Sequence, residues 1–237
     1  MGRVNPVWVG DRFDDLTLNC SDGTKWEIGQ KISEKACVLR GELAGSAGDI
    51  AEAQAVYHCH QVKGASVGLH AIMKVRLQVP PEFPGSNKPA IRAQTACDQP
   101  ASPTRQEIYS LQYLNKRGCS VTPTLFNVES SYQATDDMPV PNGYMVFLVM
   151  EKVPGVPLVD FWKYSARKKE VVREAFRKAL VELYSHYIDP ADTQPGNIIY
   201  DEKTEKCYFV DYEEAYIEDR AEPQKFHKAD YGCWGLN

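Results

Sequence analysis

The first half of the chain contains a run of short segments in which apolar and polar residues alternate. A period of two places successive side chains on opposite faces of a β-strand. The clearest segments are 53–62 (AQAVYHCHQV) and 70–79 (HAIMKVRLQV), with turn residues 63–66 between them. Weaker segments of the same kind lie around 17–21 and at 25–32 and 36–43. Together they predict an antiparallel β-meander.

The chain changes character after residue 80. Six prolines between residues 80 and 103 predict a long surface loop. Ile108, Leu111 and Leu114 then recur at helical spacing and predict a helix from about Pro103 to Gly118. Strands are predicted at 122–128 and 144–151, a helix at 167–187, and a hairpin from 197–201 and 206–212. A break in composition near 152–157 divides a strand-rich part, 1–152, from a helix-rich part, 153–237.

Composition excludes several classes of function. The 27 basic residues against 32 acidic ones give a net charge of −5, so we expect no nucleic acid as partner. The seven cysteines are widely spaced without a CxxC pair, which favours reduced thiols over a disulfide framework. We find no signal peptide and no apolar stretch that could cross a bilayer, so we expect no membrane partner. These features predict a soluble cytoplasmic protein.

The most informative segment is 192–201 (DTQPGNIIYD), followed by 208–211 (YFVD). Asp192 and Asn197 stand five residues apart after a helix, and Asp211 ends an apolar strand shortly afterwards. Phosphoryl transfer needs one carboxylate to orient the attacking hydroxyl, and an Asn and an Asp to hold Mg²⁺ on the phosphates. The spacing of these residues is typical of that chemistry.

At this point the chain resembles the protein-kinase-like superfamily. The closer resemblance is to its small-molecule branch, the aminoglycoside and choline phosphotransferases, and to short fungal proteins of that kind. The resemblance implies an α+β, two-lobed fold, in which an N-lobe (1–152) has an antiparallel sheet and one helix. A short, mainly helical C-lobe (153–237) follows. It implies Asp192 as the catalytic base, and Asn197 and Asp211 as metal ligands.

The same resemblance assigns nucleotide-binding residues upstream. Lys74, in the segment AIMK, takes the place of the lysine that binds the α- and β-phosphates, and Glu107 is the candidate for its ion-pair partner. The segment MEKVPG resembles the hinge between lobes, so backbone groups of Glu151 and Val153 would bind adenine. The implied function is transfer of the γ-phosphate of ATP, with Mg²⁺, to a hydroxyl of a small-molecule acceptor.

Several departures from the family pattern keep a second hypothesis open. Pro190 stands where kinases usually carry His, and the metal triplet reads Asp211-Tyr212-Glu213. The glycines of GELAGSAG, Gly41, Gly45 and Gly48, do not form GxGxxG. A catalytically impaired pseudokinase that binds nucleotide or protein is therefore the alternative. A protein kinase is less favoured, since only about 25 residues follow Asp211.

Each candidate residue also has a plainer interpretation. Asp192 and Asn197 are common in turns that follow a helix. Lys74 could be a solvated strand residue, and Glu107 a carboxylate at a helix start. His58 and His60 would share a face of a strand on either side of Cys59, but two ligands do not make a closed zinc site, and we favour a structural role.

Overall fold

The computed structural model describes residues 7–37, 50–81 and 84–237. The chain divides into two compact units. The first contains Met1–Thr104 and Phe126–Glu151, and the second contains Arg105–Leu125 and Lys152–Asn237. Gly41, Gly45, Gly48 and most of the strand predicted at 36–43 lie outside the described residues.

The first unit is built on a six-stranded sheet with the order β1-β2-β3-β4-β6-β5. Its strands are β1 (Thr17–Asn19), β2 (Lys25–Cys37), β3 (Glu52–Lys63), β4 (His70–Gln78), β5 (Leu125–Tyr132) and β6 (Tyr144–Glu151). β1 to β4 pair in sequence order and antiparallel, and β6 pairs antiparallel with β4. The predicted antiparallel meander is therefore confirmed, and so is the α+β class.

β4 is buried on both faces. Ala71, Met73, Val75 and Leu77 point into an apolar core and are fully buried. The opposite face carries Lys74, Arg76 and Gln78, which are also buried. Alternation thus turns a row of long polar side chains away from the apolar core without any irregularity in the strand.

The loop predicted at 80–103 contains a helix that the proline count obscured. α1 (Pro89–Ala93) is five residues long and has Pro89 in its first turn. Proline is tolerated there because its missing N–H has no partner inside the helix, and its fixed φ suits the helical conformation. The prolines therefore start an element here as well as separating others.

The second unit holds most of the helices and two small sheets. Its helices are α2 (Ser102–Lys116), of which the first three residues group with the first unit, α3 (Ala166–Ser185) and α4 (Ala229–Cys233). Its strands are β7 (Val156–Pro157), β8 (Ile188–Asp189), β9 (Ile198–Asp201), β10 (Lys206–Phe209) and β11 (Tyr216–Ile217). One sheet has the order β10-β9-β7, and the other pairs β11 with β8. The two predicted helices and the predicted hairpin are confirmed.

An aromatic cluster forms the core of the second unit. The ring of Trp234 lies 5.1 Å from that of Phe209 and 5.6 Å from that of Phe176, between ring centroids. Phe176 lies on the buried face of α3 and Phe209 ends β10. Arg173 Nε donates to the carbonyl of Leu236 at 2.7 Å, which fastens the residues after Trp234 to the same helix. The cluster holds β10, and the loop that follows it, against α3.

No helix in the described part of the chain is long and apolar enough to cross a membrane. The six cysteines whose side chains the structure describes are free thiols: Cys20, Cys59, Cys97, Cys119, Cys207 and Cys233. The cytoplasmic location stays a prediction.

Candidate functional site

The loop that carries Asp192 begins where β8 ends. Asp189 closes β8, and its Oδ1 accepts a hydrogen bond from the N–H of Ala191 at 2.9 Å. Its Oδ2 accepts from the hydroxyl of Tyr216 at 2.9 Å, on the partner strand β11. The N–H of Asp192 then donates to the carbonyl of Pro190 at 2.7 Å. Pro190 thus supplies a backbone acceptor to a tight turn. A histidine at this position would also offer a side chain that can form hydrogen bonds.

Asp192 and Asn197 are in direct contact. Asn197 Nδ2 donates to Asp192 Oδ2 at 2.8 Å, and Gln194 Nε2 donates to the same oxygen at 2.5 Å. The N–H of Asn197 donates to the carbonyl of Gln194 at 3.0 Å, which closes a short 3₁₀ turn, Pro195–Asn197. The carboxylate of Asp192 is half-buried and Asn197 is buried. The loop therefore orients the Asp192 carboxylate through two side-chain amides.

Asp211 is brought to this loop through the backbone. The N–H of Val210 donates to the carbonyl of Asn197 at 2.9 Å, so Asp211 follows directly on a residue bonded to Asn197. The N–H of Phe209 donates to the carbonyl of Val121 at 2.8 Å and fixes the end of β10. Asp211 has φ of 69°, a left-handed conformation that favours glycine. Tyr212 is fully buried, which raises the pKa of its hydroxyl.

The second unit thus brings together the three predicted residues of its phosphotransfer motif. Asn197 and Asp211 offer an amide oxygen and a carboxylate, which are the hard oxygen ligands that Mg²⁺ prefers. The hydrogen bond to Asp192 uses the amide nitrogen of Asn197 and leaves its oxygen, the atom that a metal would bind, outside that contact. The donor set fits Mg²⁺, and the metal-binding role of these residues stays a prediction.

Lys74 and Glu107 lie in different units. Lys74 is on β4, between Val56 of β3 and Leu148 of β6, and it is 6% exposed. It is therefore not a solvated strand residue. Glu107 lies in the second turn of α2, because that helix begins at Ser102, and it is 1% exposed. The interpretation of Glu107 as a carboxylate at the start of a helix is therefore wrong as well. Their ion pair stays a prediction.

The predicted hinge residues flank the boundary between the units. Glu151 is the last residue of β6 and pairs with Ala71 of β4. Val153 follows in the second unit and is half-buried. Gly155 has φ of 114°, and a Cβ there would lie 2.3 Å from the carbonyl oxygen of Tyr200. Glycine is required at this position, since β7 and β9 pair next to it. Adenine binding by Glu151 and Val153 stays a prediction.

The segment His58-Cys59-His60 lies on β3 of the first unit. Cys59 belongs to the apolar core of the first unit, and burial raises the pKa of its thiol to about 12. His58 and His60 point to the other face of β3, as the alternation predicts. The ring of His60 lies 6.2 Å from that of His70. No group of three metal-ligating side chains forms around these histidines among the residues described.

Sequence reasoning missed two features of the second unit. One is Gln194, which holds the Asp192 carboxylate; its place two residues after that aspartate was the available signal. The other is a group of possible metal ligands, Cys119, Glu182 and His186. The four-residue spacing of Glu182 and His186 on a predicted helix was visible, but it did not point to a cysteine 63 residues earlier in the chain.

Comparison with known proteins shows similarity to protein kinases. The family model "Protein kinase OspG, kinase domain" matches residues 119–230, which include Asp192, Asn197 and Asp211 but not Lys74 or Glu107. The solved structure of the Cydia pomonella granulovirus kinase PK-1 matches with a TM-score of 0.43 and 18% sequence identity. That match covers 82% of this chain and 53% of the viral kinase, so the chain spans about half of that protein's length. No curated protein matches.

The family match agrees with the predicted kinase-like superfamily and covers the segment that carries the phosphotransfer motif. The finer resemblance, to aminoglycoside and choline phosphotransferases and to short fungal proteins, stays a prediction.

Proposed function

We propose that this chain is a kinase-like phosphotransferase that uses ATP and Mg²⁺ to phosphorylate a hydroxyl group. The observation that carries the proposal is the contact of Asn197 Nδ2 with Asp192 Oδ2 at 2.8 Å, beside a loop that brings in Asp211. The similarity of residues 119–230 to a kinase domain supports it independently. Lys74, a buried cation on a regular strand, fits the role of phosphate ligand.

In this proposal Asp192 positions the acceptor. Two amide donors occupy Oδ2, which leaves Oδ1 to accept a hydrogen bond from the attacking hydroxyl and to take its proton. Bound Mg²⁺ would neutralise charge on the phosphate oxygens. Asp211 and the amide oxygen of Asn197 would hold that metal. The amide nitrogen of Asn197 would keep its hydrogen bond to Asp192 and so fix the position of that carboxylate relative to the metal.

For the acceptor we propose a small molecule with a hydroxyl group, on the resemblance to aminoglycoside and choline phosphotransferases. A protein hydroxyl is the second candidate, and the observation that favours it is the description of the matching family as a protein kinase. Both kinds of acceptor carry the same reacting group. The test must therefore offer both.

A catalytically impaired pseudokinase is the alternative function. The observation that favours it is the double occupation of Asp192 Oδ2 by Gln194 and Asn197, together with Pro190 in the preceding turn. Such a loop can hold its shape through its own hydrogen bonds, without substrate or metal. The alternative predicts nucleotide binding without turnover.

The experiment compares the purified chain with three variants. Calorimetric titration with ATP, with and without Mg²⁺, measures binding, and phosphate transfer is measured on a panel of aminoglycosides, choline and a generic protein substrate. We expect Asp192→Asn to bind nucleotide but to lose about 10²- to 10⁴-fold in transfer rate, the usual contribution of a catalytic base. Asp211→Asn should lose Mg²⁺-dependent binding. Asp219→Asn is the control, because Asp219 is exposed.

Failure to bind Mg·ATP would end the proposal. Binding without transfer to any acceptor would establish the pseudokinase alternative in its place. Transfer to the protein substrate alone would keep phosphotransfer and replace the small-molecule acceptor.

A further inference from the structure

Three side chains of different chemistry converge at the end of α3. The thiol of Cys119, a carboxylate oxygen of Glu182 and a ring nitrogen of His186 all lie within 4.8 Å of one another. All three residues belong to the second unit. None of them belongs to the proposed phosphotransfer site.

The backbone brings these residues together from two directions. Glu182 and His186 are four residues apart, so they lie on one face of α3 at its C-terminal end. Cys119 comes from the end of α2, where Gly118 adopts φ of 69° and the N–H of Cys119 donates to the carbonyl of Leu114 at 3.1 Å. This is the usual way in which a glycine ends a helix and turns the chain aside. The thiol is therefore placed by regular structure.

The carboxylate of Glu182 is already aimed. Both of its oxygens accept hydrogen bonds from Ser120, Oε1 from the N–H at 2.6 Å and Oε2 from the hydroxyl at 3.0 Å. The ammonium of Lys206 donates to that same hydroxyl at 3.0 Å. Carboxylates that bind metals are commonly oriented by such outer hydrogen bonds. Each oxygen of Glu182 keeps a lone pair for a metal ion.

The local field favours a cation. α3 is 20 residues long, and its C-terminal end carries the partial negative charge of the helix dipole. No basic residue lies in its last turn to balance that charge. Lys206 is the cation that faces the group from the β9–β10 hairpin, through Ser120. A divalent ion between Cys119, Glu182 and His186 would also compensate the partial negative charge at the C-terminal end of α3.

We propose that Cys119, Glu182 and His186 form a zinc site. Zn²⁺ accepts sulfur, nitrogen and oxygen ligands together, and tetrahedral coordination places such ligand atoms about 3.5 Å apart. The three ligand atoms lie within 4.8 Å of one another, so binding would require them to move closer together. Three protein ligands leave a fourth position for water. The ion would join the segment after α2 to the end of α3 and stabilise the second unit.

The test uses the full chain, freed of metal with a chelator and titrated with Co²⁺ as a spectroscopic substitute for Zn²⁺. We expect one equivalent of Co²⁺ to produce a thiolate-to-cobalt charge-transfer band that Zn²⁺ then removes. A thiolate band separates this site from the Asp192 loop, since Asn197 and Asp211 offer oxygen only. Zn²⁺ should also raise the melting temperature of the metal-free protein.

Variants assign the ligands. Cys119→Ser and His186→Gln should each abolish the band and the thermal shift, whereas Cys233→Ser and His227→Gln, at exposed positions, should keep both. Ser120→Ala should keep the band and weaken Zn²⁺ binding by about 10- to 100-fold, as expected for the loss of an outer hydrogen bond. His186 is half-buried, so its variant tests the site even if Cys119→Ser does not fold. Absence of the band in the unmodified chain, or its survival in Cys119→Ser, would overturn the proposal.

Discussion

The two units hold their polar residues in opposite ways. In the first unit, Lys74 and Arg76 are buried on a long regular strand, and alternation alone decides their direction. In the second unit, Asp192 and Asp211 lie on short loops between strands of two to four residues. The first arrangement needs a sheet that is covered on both faces. The second needs many specific hydrogen bonds within a few residues.

The difference is also visible in the backbone. Tyr187, Ala191 and Asp211 all have positive φ, and all lie within 25 residues around the candidate catalytic loop. A residue other than glycine in that conformation costs on the order of 1–3 kcal/mol, and such residues cluster at functional sites. β4 has no residue of this kind. Asp15 and Asn142 of the first unit also have positive φ, so the contrast is between β4 and the candidate loop and not between the two units as wholes.

Glu52 forms an ion pair with one of the buried cations of the first unit. Glu52 Oε1 accepts from Arg76 Nη1 at 3.0 Å, and Oε2 accepts from the hydroxyls of Tyr144 at 2.8 Å and Thr104 at 2.5 Å. Burial, with the Glu52 charge beside it, raises the pKa of the Tyr144 hydroxyl. Glu52→Gln should lower the free energy of unfolding by about 3–5 kcal/mol, because the Arg76 charge stays buried without this carboxylate. Urea unfolding, with hydrogen exchange to locate the loss, measures it.

The control for that prediction lies on the surface of the second unit. Lys168 and Glu202 form an exposed ion pair at 2.9 Å, and Glu202→Gln should cost at most about 1 kcal/mol. The double variant Glu52→Met with Arg76→Met should cost less than the two single changes together, because neither charge of this ion pair is then left buried. A cost for Glu52→Gln as small as that for Glu202→Gln would show that Glu52 does not compensate the Arg76 charge.

The contrast between the units also explains what the sequence could predict. The strands of the first unit and the side to which Lys74 points follow from a period of two, which any single sequence displays. The burial of Glu107 does not follow from this period, because it depends on tertiary packing that no local sequence pattern records. The sequence did not predict α1 either, because a helix of five residues is too short to show a helical period and the prolines around it indicate a loop.

The candidate site was predictable as a motif but not as a geometry. Asp192, Asn197 and Asp211 stand out because phosphoryl transfer needs these residue types in this order. The hydrogen bond of Gln194 to Asp192, and the approach of Cys119 to Glu182, come from turns whose conformation depends on tertiary contacts. Local propensity is a weak guide wherever the surrounding structure overrides it in this way.

The strain at Asp211 can be tested with a matched pair of variants. Asp211→Ala and Asp211→Gly remove the same side chain, but only glycine adopts φ of 69° without steric cost. We expect the alanine variant to be less stable than the glycine variant by about 1 kcal/mol. Chemical unfolding of both proteins measures the difference. Both should lose Mg²⁺-dependent nucleotide binding if Asp211 is a metal ligand.

Asp219 provides the comparison for this pair. It is exposed and is not among the residues with positive φ, so Asp219→Ala should be at least as stable as Asp219→Gly. The order of stability should therefore reverse between positions 211 and 219. The same order at both would mean that the backbone at Asp211 relaxes freely and that the loop stores no strain.

The smallest expected effect concerns a turn of the second unit that lies outside the candidate site. In the β9–β10 hairpin the hydroxyl of Thr204 donates to Asp201 Oδ2 at 2.6 Å, and this bond lowers the pKa of that carboxyl below its usual value. A lowered pKa in the folded state stabilises the protein above the unfolded pKa of about 3.9, and the contribution disappears as pH falls through the folded value.

Thr204→Val should raise the pKa of Asp201 towards its usual value, which an NMR titration of the carboxyl carbon measures directly. The stability difference between the two proteins should be constant near neutral pH and should shrink below about pH 4, where protonation removes the carboxylate in both. An unchanged titration of Asp201 would show that its local hydrogen bonds do not select the charged form.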